Sequence, residues 1–368
     1  MSRREYTEKD VVADRYEVVR YVAEGGMQQV FLARDVVFER LVALKVPKNS
    51  SAEIRFQRSA VLSARVNHQN VARVFDYGEW GGKSYLIEEF VFGRTLGDVL
   101  DHDYEYLDPH LAAHVFHHIV KGLAASHRVG VFHRDIKPKN VMVSEGASLE
   151  KIKITDFGIA KLAEEEMRRF GGNGESITGS HTLVGALPYM APEMIESPAS
   201  AGLPADVWAV GAMLYELLVG DVPFGRGLKA VTAIVSASLP PAPRIFDAKQ
   251  QYEPLCKALW AIVAQCMTRE PDKRPTADVL VNLSSKLCYS SALRQVGMVF
   301  EFKGGTGDWG FVKAEGGARI FFHADSYYGA RAPQIGDRVS FSAFPGSPYD
   351  RAFPMVAMRG IGGERESG

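Results

Sequence analysis

Five short motifs in a fixed order constrain the fold of this 368-residue chain more than any other feature. A Gly-containing loop spans residues 23–30, and a lysine ends the strand-like run 42–45. A segment rich in basic residues spans 133–140, and Asp-Phe-Gly at 156–158 and Ala-Pro-Glu at 191–193 follow it. Each motif alone is common by chance, and a lone Gly-Gly pair is a turn more often than a phosphate site. Together, in this order, they indicate one shared functional site.

The chain changes character twice along its length. Residues 16–91 contain short β-like runs and one helical pattern, over residues 53–66, whereas residues 111–267 show helical periodicity. Glycine and aromatic residues then dominate up to residue 359, again in short β-like runs, which indicates a small β-barrel or sandwich. We therefore expect an α+β bilobal fold over residues 11–288, with a strand-rich lobe before a helical one, and a small all-β domain over residues 296–360.

Charge and cysteine content exclude several classes of protein. The 43 Lys and Arg residues balance 44 Asp and Glu residues, so no global field attracts nucleic acid or an anionic membrane. Three cysteines without CxxC spacing argue against a disulfide framework and fit a reducing compartment. The charged N-terminus does not resemble a secretory signal, and no apolar run is long enough for a membrane span. We expect a cytoplasmic protein without a membrane span.

Residues 11–288 resemble the catalytic domain of bacterial eukaryotic-like Ser/Thr protein kinases. Asp-Val-Trp at 206–208 and Asp-Lys-Arg-Pro at 272–275 match later signatures of the same family. The resemblance implies ATP as the phosphate donor and Ser or Thr hydroxyls of proteins as acceptors. It also implies that Glu193 and Arg274 form an ion pair that anchors the activation segment.

The same resemblance assigns the catalytic roles. Lys45 would hold the α- and β-phosphates, Asp135 would accept the proton of the substrate hydroxyl, and Lys137 would neutralise charge on the γ-phosphoryl group. Asn140 and Asp156 would bind Mg²⁺ (or Mn²⁺), an ion that prefers hard oxygen donors. A lysine two places after the catalytic aspartate is the pattern of Ser/Thr kinases rather than tyrosine kinases.

A nucleotide pocket is also implied by the resemblance. Its members are Val22, Ala23, Gly25, Gly26, Val30, Ala43, Lys45, Glu88, Glu89 and Val91. Phosphoryl transfer needs little covalent help from a protein; it needs cations around the triphosphate and an in-line hydroxyl. One lysine, two predicted metal ligands and one carboxylate supply these elements.

One position departs from the family pattern in a way that requires compensation. Counting back from Asn67 and His68, the helix residue that should be a glutamate paired with the lysine is Ser59. A buried ammonium without its partner costs about 3–5 kcal/mol, so a replacement carboxylate is expected. Our candidate is Glu88, which aligns with a usually apolar residue at the back of the adenine pocket. In the alternative, the local alignment slips by one residue and Glu88 is solvated.

Three further departures affect the loop and the substrate site. Ala23 and Gln28 replace the first and third glycines of the Gly-rich loop. The alanine restricts φ and stiffens the loop without preventing close approach of the backbone. Ala186 stands where Ser/Thr kinases usually have a threonine that contacts the catalytic Asp and Lys, which predicts looser orientation of the substrate.

Four hydroxyl residues lie in the long activation segment. They are Ser176, Thr178, Ser180 and Thr182. In relatives, the arginine at the position of Arg134 pairs with a phosphorylated residue of this segment, and a phosphate adds about −1.5 to −2 charges that can order a loop. We predict autophosphorylation, with Thr178 and Thr182 first. The alternative is an unmodified, flexible Gly- and Ser-rich loop.

Residues 297–359 resemble a cold-shock domain, a small OB-like barrel that binds single-stranded nucleic acid. The segments 297–299, 309–312, 320–323 and 336–341 match its landmarks in order. The resemblance places four side chains on one face of neighbouring strands, where each stacked base contributes about 1–3 kcal/mol. These side chains are Trp309, Phe311, Phe321 and His323.

The barrel also departs from that family. Glu301 replaces an early surface tryptophan, and Ala324 replaces the aromatic residue after the histidine. Eight basic residues balance eight acidic ones over residues 296–368, so there is no net positive charge to neutralise phosphates. Two interpretations stay open: the barrel binds single-stranded nucleic acid, or it docks on the kinase region or another protein.

The leading hypothesis from the sequence is a Ser/Thr protein kinase that phosphorylates its own activation segment and carries a barrel for regulation or localisation. The complete set of predicted metal ligands, base and lysines favours it. The alternative is a weakly active or inactive kinase-like scaffold that binds nucleotide and single-stranded nucleic acid. Ser59, Ala23 and Ala186 favour that alternative.

Overall fold

A six-stranded sheet forms the first lobe of the protein. The computed structural model describes residues 4–25, 28–48, 50–157, 185–197, 201–227, 229–305 and 307–359. The strands are β1 (Val11–Val12), β2 (Tyr16–Glu24), β3 (Gln28–Asp35), β4 (Arg40–Pro47), β5 (Val74–Trp80) and β6 (Lys83–Glu89). They pair in the order β1-β2-β3-β4-β6-β5, and every pairing is antiparallel.

Strand β4 directs one lysine away from the core of this sheet. Val42, Leu44 and Val46 are buried in a cluster on one face. Because side chains alternate between the faces of a strand, Lys45 lies on the opposite face. Helix α1 (Ser50–Ser63) packs against β4, β5 and β6.

A helical lobe follows, with a small three-stranded sheet at its start. The helices are α2 (Leu96–His102), α3 (Pro109–Arg128), α4 (Pro192–Glu196), α5 (Leu203–Val219), α6 (Ala230–Ser236), α7 (Ile245–Ala248), α8 (Glu253–Cys266) and α9 (Ala277–Ser285). The small sheet has the order β7 (Arg94–Thr95), β8 (Val141–Val143) and β9 (Ile152–Ile154). Within the described ranges, no helix combines the length and apolar character needed to cross a membrane.

Local sequence signals explain the long helices. Asp108 caps α3 by accepting from the backbone N–H groups of His110 (3.1 Å) and Leu111 (3.3 Å), and Pro109 begins the helix. Helices α5 and α8 approach each other closely at Gly211, where a Cβ would lie only 2.5 Å from the Cβ of Cys266. Helix α5 is apolar on nearly all sides and buried, as its sequence predicts.

The last part of the chain folds into a six-stranded sheet, five strands of which close into a barrel. Its strands are β10 (Arg294–Lys303), β11 (Trp309–Ala314), β12 (Arg319–His323), β13 (Tyr327–Tyr328), β14 (Arg338–Phe344) and β15 (Arg351–Ala357). They pair in the order β12-β11-β10-β14-β15-β13, and an additional β12–β15 pairing closes the barrel, while β13 pairs with β15 alone among these strands. Its core contains Val299, Val312, Phe322, Phe341 and Met355. A closed barrel is compatible with the expected OB-like architecture.

One side of the barrel is buried against the helical lobe. Tyr328 and Val356 of the barrel belong to the same apolar cluster as the helical core. The hydroxyl of Tyr252 at the start of α8 donates to the carbonyl of Ser326 (2.6 Å) and accepts from the backbone N–H of Met355 (3.3 Å). The barrel and the helical lobe therefore share a core as well as polar contacts.

Candidate active site

The lysine of β4 lies between two carboxylates where the first sheet meets the small sheet of the helical lobe, a region that we call the cleft. Its Nζ is 2.5 Å from Oε2 of Glu88 on β6 and 2.9 Å from Oδ1 of Asp156, just after β9. The Lys45 and Glu88 side chains are buried, whereas that of Asp156 is 24% exposed. The structure thus brings together three residues that the sequence analysis singled out.

Burial and mutual attraction shift the pKa values of this cluster. Burial, together with the Asp156 carboxylate, raises the pKa of Glu88 against the effect of Lys45. Burial alone would lower the pKa of Lys45, but the Asp156 and Glu88 carboxylates outweigh it and raise that pKa. Burial also opposes ionisation of Asp156, yet Lys45 and a hydrogen bond from Gln28 hold its pKa below the usual range. One ammonium facing two carboxylates leaves an excess of negative charge.

Ser59, the expected site of a helix glutamate, has a different contact. It is buried on α1, and its hydroxyl donates to the backbone carbonyl of Phe157. Glu88 reaches the lysine from the sheet instead, from a position in register with Ala43 of β4. Among the side chains that the structure describes, the carboxylate that Lys45 contacts on the sheet is therefore Glu88 of β6, and the expected position on α1 holds Ser59.

A buried aspartate shapes the segment before the expected catalytic base. Asp206 on α5 accepts from the backbone N–H groups of His133 and Arg134, both at 2.7 Å, and lies 3.0 Å from Nε2 of His127. Arg134 has a positive φ of 65°, which is uncommon for a residue with a side chain. The sequence alone assigns no role to Asp206; an acidic residue in the first turn of a mostly apolar helix is the signal that could have indicated one.

Asp135 contacts two polar residues of its own segment, Lys137 and Asn140. Nζ of Lys137 lies 2.9 Å from Oδ2 of Asp135. The amide nitrogen of Asn140 donates to the same carboxylate (2.9 Å) and to the backbone carbonyl of Asp135 (2.7 Å). This leaves the Asn140 amide oxygen, rather than its nitrogen, for a cation.

Asn140 and Asp156 suit a divalent metal ion. Asn140 precedes β8 and Asp156 follows β9; these strands pair Val141 with Ile154, so both ligands lie at one end of the hairpin. Within the described part of the chain, no group of three or more His, Cys, Asp or Glu side chains could hold a metal. Mg²⁺ is commonly bound by one or two carboxylates together with substrate phosphates and water. The donor set fits an ion shared with a triphosphate.

The Gly-containing loop makes an unexpected contact with this site. The amide nitrogen of Gln28 donates to Oδ1 of Asp156 at 2.8 Å. The loop turn itself is closed by a hydrogen bond from the Gly25 N–H to the Gln28 carbonyl (2.9 Å). From the sequence, Gln28 is only a replaced glycine, and its motif does not predict this contact.

The other predicted pocket residues lie on the elements that border Lys45. Val22 and Ala23 lie near the end of β2, and Gly25 follows that strand. Val30 lies on β3 and Ala43 on β4. Glu89 is the last residue of β6, and Val91 lies just after it. The Glu89 side chain pairs with Lys153 at 2.9 Å. Gly26 lies outside the described residues.

Beyond Phe157, the described part of the predicted activation segment is its C-terminal end, from residue 185. Arg274 forms a two-pronged ion pair with Glu193 (2.6 and 2.8 Å) beside the Trp208 ring. Ala186 lines a small cavity together with Asp135. The predicted phosphorylation sites lie outside the described residues; they are Ser176, Thr178, Ser180 and Thr182.

The barrel presents an aromatic surface on strands β11 and β12. The Trp309 and Phe321 rings stack with centroids 6.2 Å apart, and His323 is exposed opposite Trp309. Phe311 is 4% exposed and lies under the Arg319 guanidinium at 3.7 Å. Three of the four predicted residues thus offer accessible surface, whereas Phe311 supports them from below.

Comparison with known proteins gives consistent matches. Residues 16–284 match the protein kinase domain family. Serine/threonine-protein kinase PknB of Mycobacterium tuberculosis (strain ATCC 25177 / H37Ra) is 32% identical over 272 residues, 72% of this chain and 41% of that protein. Probable serine/threonine-protein kinase pknA2 of Bifidobacterium longum is 32% identical over 75% of this chain and 36% of its own length. The probable kinase PknB of Lactococcus lactis is 34% identical over 58% of this chain and 33% of its own length. The chain thus spans well under half the length of these relatives.

Proposed function

Since the chain belongs to the protein kinase family, we propose that it transfers the γ-phosphoryl group of ATP to Ser or Thr hydroxyls of proteins. The contact of Lys45 with Glu88 and Asp156 carries this proposal, because it places a lysine and a metal-type ligand together in the cleft. The neighbouring Asp135 and Lys137 pair supplies a base and a second cation.

Each residue has a step to perform in this reaction. The substrate oxygen bonds to the γ-phosphorus while the bond to the β-phosphate oxygen breaks, and ADP leaves with that electron pair. Asp135 accepts the hydroxyl proton, and Lys137 and Lys45 neutralise charge on the phosphates. When bound by Asn140 and Asp156, a divalent cation such as Mg²⁺ supplies further positive charge at the phosphates.

Glu88 takes the place of the helix glutamate in this proposal. Its carboxylate is buried and lies 2.5 Å from the lysine, while Ser59 contacts the segment after Asp156 instead. A buried ion pair fixes the direction of Lys45, and its loss leaves an uncompensated charge. The missing acid on α1 and the unusual acid on β6 therefore explain each other.

Autophosphorylation of the activation segment belongs to the same proposal. The backbone of Arg134 is fixed by Asp206. A phosphate on Thr178 or Thr182 would find in that arginine a cationic partner, because phosphate pairs well with guanidinium.

A second candidate function concerns the barrel. The stacked Trp309 and Phe321 rings lie beside two cations, with Lys303 4.6 Å from the Trp309 ring and Arg319 above Phe311. Aromatic rings flanked by basic groups suit single-stranded nucleic acid. Binding of labelled oligonucleotides that Trp309→Ala abolishes would support this function, and equal binding would exclude it.

Intact-mass analysis tests the proposed kinase activity. The protein is first dephosphorylated and then incubated with Mg-ATP, alongside Asp135→Ala. Mass steps of one phosphate in the wild type alone would establish transfer by this site. If the protein binds nucleotide but shows no mass change and transfers no phosphate to a general protein substrate, the result would instead support the scaffold alternative.

A further inference from the structure

The carboxylate of Asp156 already has hydrogen-bond donors on both oxygens. Oδ1 receives the Gln28 amide at 2.8 Å and the Lys45 ammonium at 2.9 Å. Oδ2 receives the Thr155 hydroxyl at 3.2 Å. A cation that binds Asp156 has to take its place among these donors.

Gln28 is the donor best able to leave. Its backbone is anchored by the Gly25 hydrogen bond and by pairing with Pro47 in the sheet, while its side chain has three rotatable bonds. Lys45, in contrast, is held by Glu88 as well. Gln28 is also only 7% exposed, so its amide occupies the cleft itself and not the solvent above it.

Charge explains why a neutral amide is placed there. The cluster contains one ammonium and two carboxylates, so Asp156 is left short of positive partners. An amide N–H donor supplies partial positive charge at the position where a metal ion would supply more. The same contact becomes an obstacle to a cation that binds through Oδ1, because that oxygen already accepts from both Gln28 and Lys45.

We propose that Gln28 is a positioning residue that holds Asp156 in the nucleotide-free state and has to release it when metal and nucleotide bind. Gln28 thereby sets how much divalent cation the site requires. This inference rests on the proposed kinase function, because it concerns the same metal ligand. A glycine or serine at position 28 lacks the reach to make the contact.

The test measures metal-dependent nucleotide binding and not catalysis. A non-hydrolysable ATP analogue is titrated calorimetrically into the full chain at a series of Mn²⁺ concentrations. We expect Gln28→Ser to lower the half-saturating Mn²⁺ concentration about tenfold, the factor that one hydrogen bond to a charged group represents. The affinity for the analogue without metal should change little in this variant. A general structural defect would instead weaken analogue binding with and without metal.

A neighbouring variant provides the matched control. Gln29 is also buried, but its amide oxygen accepts from the backbone N–H of Glu5, away from Asp156. Gln29→Ser should keep the wild-type Mn²⁺ requirement. If Gln28→Ser also keeps it while the wild type binds the analogue in a metal-dependent way, the inference alone is overturned. If the wild type shows no metal-dependent binding, the proposed function fails with it.

Discussion

Two buried ionic clusters, one in the cleft and one between the helical lobe and the barrel, balance their charges differently. In the cleft, Lys45 faces both Glu88 and Asp156. Between the lobe and the barrel, Arg294 of β10 pairs at 2.8 Å with Asp108, the residue that caps α3. The cleft cluster has one ammonium and two carboxylates and therefore a net negative charge, whereas the second cluster pairs one cation with one anion and is neutral.

This difference in net charge distinguishes an ion pair that stabilises the fold from a cluster suited to binding a ligand. The pair of Arg294 and Asp108 is almost completely buried and needs no ligand to balance its charge. The cleft cluster is open on the Asp156 side and gains stability from an added cation. We therefore expect changes in the first pair to alter folding, and changes in the cleft to alter nucleotide chemistry.

Breaking the lobe–barrel pair should have the largest effect on stability. Arg294→Met leaves Asp108 as an uncompensated buried charge, which lowers the free energy of unfolding by about 3–5 kcal/mol. Urea denaturation followed by circular dichroism measures this. Arg128→Met, which breaks an exposed pair with Asp278, should cost at most about 1 kcal/mol. Equal losses in the two variants would contradict the architectural role.

Breaking the cleft cluster should affect catalysis instead. If Lys45 holds the phosphates as proposed, Lys45→Met removes a cation from them, and we expect the rate of phosphate incorporation to fall about 10²- to 10³-fold. Burial already raises the pKa of Glu88, so this carboxyl can take up a proton when its partner is lost. The thermal unfolding midpoint should therefore change less than in Arg294→Met. A variant that unfolds while the wild type is stable would place Lys45 among the architectural residues.

A single hydroxyl sharpens the comparison at the barrel contact. Tyr252→Phe removes the donor to Ser326 and the acceptor for Met355, and leaves buried backbone groups unpaired. We expect a loss of about 1–3 kcal/mol in unfolding free energy with no change in the catalytic rate. Tyr349→Phe, on the exposed face of the barrel, should stay within about 0.5 kcal/mol of the wild type. A fall in the catalytic rate of Tyr252→Phe would contradict this prediction and would show that the barrel contact influences the cleft.

Histidines on α3 should give a smaller, pH-dependent effect. Burial, with His114 and Lys121 nearby, lowers the pKa of His118 from 6.5 to about 4. Below pH 6.5 the unfolded chain binds more protons than the folded one, so stability falls as the pH decreases towards 4. Solvent at the half-buried ring screens part of this effect. The urea midpoint should decrease less steeply with acidification in His118→Gln, and an unchanged slope would contradict the assignment.

The features of this protein that depend on local sequence patterns could be predicted, whereas contacts between residues far apart in the chain could not. Motif order led to the Lys45 site, and the loss of an acid at Ser59 directed attention to Glu88. The contact of Gln28 with Asp156 joins residues 128 positions apart, and the pairing of Arg294 with Asp108 spans 186 positions. Such contacts depend on how whole lobes pack, which short-range periodicity does not encode.

The most direct test of the account exchanges the two positions that define the cleft pair. Phosphate incorporation and ATP-analogue affinity are measured for Glu88→Gln, Glu88→Leu and the double variant Glu88→Leu/Ser59→Glu. We predict at least a tenfold loss of rate in both single variants, because Lys45 loses its partner. The double variant, which places the acid on α1, should recover most of that loss. Full activity and affinity in Glu88→Gln would contradict the claim that Glu88 orients Lys45.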